Sequence, residues 1–67
     1  MTIKEFEIQY ALGTLTDKMK LKLAYTERTS KKILTILSTD EEWVIRCNVA
    51  YNPNTPKEVL TKLKENI

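Results

Sequence analysis

Histidine is absent from the 67 residues, and cysteine, glycine and tryptophan occur once each. Each shortage excludes something. Without histidine the usual base for nucleophilic catalysis is missing, and no residues stand at a metal-ligand spacing. A single thiol, Cys47, cannot close an internal disulfide, which fits a reducing, cytoplasmic setting. One glycine, Gly13, is too few for the tight hairpins of a β-rich fold, and no glycine-rich loop exists to cradle a phosphate. No apolar run approaches the roughly 18 residues of a membrane span, and the charged segment Met1–Glu7 does not read as a signal peptide. The expectation is a protein that is not an enzyme, holds no cofactor or metal and does not cross a membrane.

What is present points to one small helical domain. Hydrophobic residues make up 42% of the chain, ordinary for a globular protein and too many for a disordered one. Three Thr-x-x-Glu pairs, Thr2–Glu5, Thr39–Glu42 and Thr55–Glu58, have the form of a capping box. The third carries Pro56 at the first helical position, where its missing N–H costs nothing. Asn52-Pro53 stops the helix before it, and Gly13 can close the first. The coarse reading is five short helices near 3–12, 17–26, 30–38, 40–51 and 56–65. In the second, Met19, Leu21 and Leu23 alternate with Lys18, Lys20 and Lys22, a strand-like period.

An internal repeat overrules that alternation. Shifted by 26 residues, segment 23–37 matches segment 49–63 at seven of fifteen positions. Leu23/Val49 and Ile33/Val59 keep apolar character as well. A period of this size marks a helical repeat whose apolar face only a neighbouring unit can bury. The fold class expected is all-α: a short solenoid of two helix–turn–helix repeats plus an N-terminal helix, one domain over 1–67. Its parts are a cap helix over 1–15, repeat one over 16–38 and repeat two over 39–67. The expected core is Phe6, Tyr10, Leu23, Ala24, Ile33, Leu34, Leu37, Trp43, Val44, Cys47, Ala50, Val59, Leu60 and Leu63. Two repeats and a fraction leave monomer and end-to-end homodimer both open.

The segment Glu42–Leu60, with Trp43, Val44, Arg46, Val49, Ala50 and the turn Asn52-Pro53-Asn54-Thr55-Pro56, resembles the variant leucine-rich repeat family. The resemblance covers 39–63 well and 16–37 in degenerate form. It implies a right-handed stack of short helices with no enzymatic activity of its own. The iron–sulfur module of some members needs several cysteines and is not implied, because Cys47 stands alone.

Net charge is +2, too mild to imply nucleic acid by itself. Its distribution says more. Between residues 18 and 32, Lys18, Lys20, Lys22, Arg28, Lys31 and Lys32 face Glu27 alone, a net +5 that leaves −3 to the rest of the chain. Such a cluster is either a solvated face or a contact for an acidic partner. Trp43 is either a core anchor or a partner hot spot. The acids Asp40, Glu41 and Glu42 suit the positive end of a helix dipole, and Cys47 suits a small core position. The candidate partner-binding residues are therefore Lys20, Lys22, Arg28, Lys31, Lys32 and Trp43. The function expected is a small protein–protein interaction module, adaptor or inhibitor. The alternative is a nucleic-acid-associated protein using segment 18–32.

Overall fold

Thr2 starts the first helix. Its hydroxyl accepts the Glu5 N–H at 3.1 Å, and the Glu5 carboxylate accepts the Thr2 N–H at 3.0 Å. This reciprocal box satisfies two donors that a helix start leaves free. The computed structural model describes residues 1–65 and contains five helices: α1 Ile3–Leu12, α2 Asp17–Tyr25, α3 Lys31–Leu37, α4 Trp43–Tyr51 and α5 Lys57–Glu65. No strand occurs among the described residues, so the fold is all-α. The expected second repeat extends to 67, and its last two positions lie outside the described residues. Gly13 closes α1 in the left-handed region at φ 72°. The Gly13 N–H donates to the Tyr10 carbonyl at 3.2 Å and the Thr14 N–H to the Gln9 carbonyl at 3.0 Å.

The other two expected capping boxes do not form. α4 begins at Trp43, and Glu42 caps it without a side-chain bond. Thr39 instead donates its hydroxyl to the Ile36 carbonyl at 3.0 Å, while Asp40 accepts the Glu42 N–H at 2.9 Å. Thr55 is buried and donates to the Val49 carbonyl at 2.6 Å. In both cases a tertiary demand on the threonine or its neighbour takes the place of the local reciprocal bond. Thr16 and Ser30, outside any box, cap α2 and α3 by accepting the N–H three residues on, each at 3.2 Å.

The offset of 26 carries over into the elements: α2 at 17–25 and α4 at 43–51 stand one period apart. Both helices end on an extended residue, Thr26 at ψ 124° and Asn52 at ψ 124°. Each turn is closed by the same i→i−3 bond, Thr29 N–H to Thr26 at 3.2 Å and Thr55 N–H to Asn52 at 3.1 Å. α4 is the main packing partner of α2, α1 lies against α3, and α5 follows α4. The strand-like alternation in α2 resolves because Lys20 turns inward to a buried carboxylate, leaving Leu21, Leu23 and Ala24 to pack.

The core is Phe6, Leu15, Ala24, Ile33, Leu34, Leu37, Ile45, Val49, Val59 and Leu63, with Tyr10, Leu21, Leu23, Ile36 and Ala50 packed against it. The Phe6 and Tyr10 rings stack at 5.4 Å between centroids. Two expected core residues are corrected here. Trp43 is 62% exposed and Val44 47% exposed. The α4 face turned to α2 carries Ile45 and Val49, four apart. That spacing rotates Trp43 and Val44 outward. Cys47 and Leu60 are half-buried rather than core.

Candidate interaction surface

Among the described residues Asp40 is the one buried carboxylate, 3% exposed, just before α4. Its Oδ2 accepts the Tyr10 hydroxyl at 2.8 Å and the Lys20 Nζ at 3.0 Å, and its Oδ1 accepts the Glu42 N–H. Lys20 also lies 3.4 Å from Asp17 and 5.7 Å above the Tyr10 ring centroid. Burial would raise the Asp40 carboxyl. The Glu42 N–H, the Tyr10 hydroxyl and the Lys20 ammonium outweigh it and hold the group below its ordinary range. Burial, then the bond to Asp40, pushes the Tyr10 hydroxyl up to about 12. The bond to Asp40 raises Lys20 against the opposing effect of its own burial. A cleft of about 460 Å³ opens beside this cluster, with Glu41, Glu42 and Thr39 on its wall. Tyr10, Lys20 and both oxygens of Asp40 already have partners, the Oδ1 through the Glu42 N–H, so the cluster of these three side chains acts as a brace. It ties α1 and α2 to the start of repeat two.

Of the six residues singled out from the sequence, Lys20 turns inward and the other five are exposed. Lys20 is committed to Asp40 and only 16% of its side chain is exposed. Lys22, Arg28, Lys31 and Lys32 are exposed. Lys31 donates to the Asn54 side-chain oxygen at 2.7 Å, and Lys32 lies 3.8 Å from Glu7 in an exposed pair worth little. Lys22 and Arg28 pair with no acid among the described residues. Trp43 opens α4. It forms an outward stripe on α4 with Val44, half-buried Cys47 and Tyr51, the last 84% exposed. Positions 43, 44, 47 and 51 fall within one helical face.

Two residues that sequence reasoning treated only as turn-formers join the copies. Asn52 is buried and donates its Nδ2 to the carbonyls of Ala24 at 2.8 Å and Thr26 at 2.9 Å. Asn54 donates to the Thr29 carbonyl at 2.7 Å. The amides of repeat two thus clamp the end of α2 and the turn that follows it. The signal available was the departure from the repeat itself: copy one has Thr26 and Arg28 where copy two has Asn52 and Asn54.

No helix among the described residues is long and apolar enough to cross a membrane. No family model, curated protein or solved structure matches the chain.

Proposed function

We propose that the chain is a small, non-enzymatic protein-interaction module of the cytoplasm, built from two variant-leucine-rich-like repeats, whose contact surface is the outer stripe of α4. The observation that carries this is the placement of Trp43, Val44 and Tyr51 side by side on one helix and turned to solvent. Tryptophan and tyrosine are the side chains that most often dominate protein interfaces. The short helices joined by the Asn52-Pro53-Asn54-Thr55-Pro56 turn support the repeat assignment. A nucleic-acid contact is the second reading, favoured by the exposed Lys22, Arg28, Lys31 and Lys32, of which Lys22 and Arg28 pair with no acid among the described residues.

The double variant Trp43→Ser/Tyr51→Ser removes exposed surface only, so its fold should persist. Affinity capture from the native source, with the wild type and this variant as baits, should recover a protein that the variant loses. In parallel, gel shifts with duplex and single-stranded DNA and RNA at two salt concentrations test the second reading. Binding that weakens steeply with salt and is lost on reversing Lys22, Arg28, Lys31 and Lys32 to Glu would replace the α4 surface with the basic one.

A further inference from the structure

Resting on the reading of α4 as a contact surface, we infer that its open face accepts a helical hairpin of another polypeptide, one with an amide side chain at the end of its first helix and a second two residues on. The repeat itself supplies the argument. α4 covers the face of α2 that carries Lys20, Leu21 and Ala24, using Ile45 and Val49. One period later the same face of α4 carries Arg46, Cys47 and Ala50, and no further hairpin of the described residues covers it. Burial records the difference. Ala24 and Leu34 are fully buried, whereas their counterparts Ala50 and Leu60 are only partly so.

The hydrogen-bond acceptors show the same asymmetry. Asn52 and Asn54 reach the carbonyls of Ala24, Thr26 and Thr29. The corresponding carbonyls of repeat two are those of Ala50, Asn52 and Thr55, and among the described residues no side chain donates to them. This face therefore presents Cys47 and Ala50, with the Arg46 guanidinium beside them already bonded to the Asp40 and Glu41 carbonyls, and three acceptors in the arrangement that already holds one hairpin in this molecule. Continuity with that internal interface defines the occupant: branched apolar residues four apart, as Ile45 and Val49 are, followed by the two amides. A second copy of this chain owns such a hairpin but spends Asn52 and Asn54 on its own first repeat, so a copy would have to open itself to bind.

The probe is a synthetic peptide of residues 39–65 carrying Trp43→Phe, which has to fold as it docks, titrated into the full-length chain with the gain in helical circular dichroism followed beside the fluorescence. The only tryptophan observed is then Trp43 of the full chain. Docking beside it should shift its emission to the blue, saturably. The peptide with Asn52→Ala and Asn54→Ala as well should bind at least about tenfold more weakly, since even one of the three lost hydrogen bonds is worth roughly that factor. The full chain carrying Ala50→Arg should lose the shift while retaining its helical circular dichroism. No blue shift, or a shift that survives Ala50→Arg because the peptide has displaced repeat two from repeat one, overturns the inference. So does a full-length chain that sediments alone as a dimer broken by Ala50→Arg, which would make a second copy the occupant. If the peptide fails while Trp43→Ser/Tyr51→Ser still loses a captured protein, the contact surface stands and only the hairpin partner falls.

Discussion

Asp40 is a charge that the fold buries and then compensates through three donors from three places: the Tyr10 hydroxyl, the Lys20 ammonium and the Glu42 N–H. Its lowered pKa has a sign that can be read in stability. Above pH 3.8, the carboxyl's ordinary value, both folded and unfolded chains are ionised and the full stabilisation is present. Below it the unfolded chain takes up a proton first, and stability falls until the folded value is passed. Tyr10 acts at the other end. Its stabilisation is whole below pH 10.0 and lost between there and about 12, and Lys20, also raised, loses its share as pH climbs through its folded value. Urea unfolding across pH should therefore show a plateau with both limbs falling. Asp40→Asn should flatten part of the acid limb and cost about 1–3 kcal/mol at neutral pH, because the Lys20 ammonium loses its counter-charge in a half-buried place. Equal acid limbs for wild type and variant would mean that Asp40 is not the group that titrates.

At the scale of elements, the two copies are unequal because one is covered and the other is not. Leu34 in α3 is fully buried, while Leu60, its counterpart in α5, is partly exposed. Leu34→Ala should cost roughly 2–5 kcal/mol, the range for an emptied core site. Leu60→Ala should cost less than half as much, since part of its surface already meets water. Equal costs in urea melts would show α5 to be as enclosed as α3. The elements themselves were legible: five helices, the stop at Asn52-Pro53 and the closure at Gly13 follow from local chemistry, and the repeat overrode the alternation in α2. The facing of α4 was not. Its sequence is apolar on nearly every side, with Trp43, Val44, Ile45, Cys47, Val49 and Ala50, so periodicity alone does not select Ile45 and Val49 as the inner pair. The capping patterns at Thr39 and Thr55 misled for a related reason. Each hydroxyl is turned back to donate to an earlier carbonyl, Ile36 for Thr39 and Val49 for Thr55, and so points away from the helix start it was expected to cap. Asp40 and Asn52 were unreadable as braces because their partners, Tyr10, Lys20 and Ala24, are 20 to 30 residues distant in sequence.

Across the whole molecule these braces decide how the chain comes apart. A 67-residue domain buries only about 60% of the surface its unfolded chain exposes, so neither repeat has a core large enough to stand alone. Repeat two holds α1 through Tyr10 and Asp40, and α2 through Lys20 and Asp40 and again through Asn52. Detaching it would strand a buried carboxylate, an ammonium and the carbonyls of Ala24 and Thr26 at one stroke. Water takes the freed partners, so each lost bond costs about 0.5–1.5 kcal/mol net, or about 1.5–3 where a charge takes part, and their sum is large against a total stability of roughly 5–15 kcal/mol. Partial opening between the repeats is therefore unfavourable, and the chain should unfold in one step despite its modular sequence. Native-state hydrogen exchange should give the slowest amides of α2 and of α4 the same opening free energy, matching that from urea unfolding followed by circular dichroism. Asn52→Ala should lower both helices together. If α4 opened at distinctly lower free energy than α2, or if Asn52→Ala released α4 alone, the repeats would be independent units and the braces would not couple them.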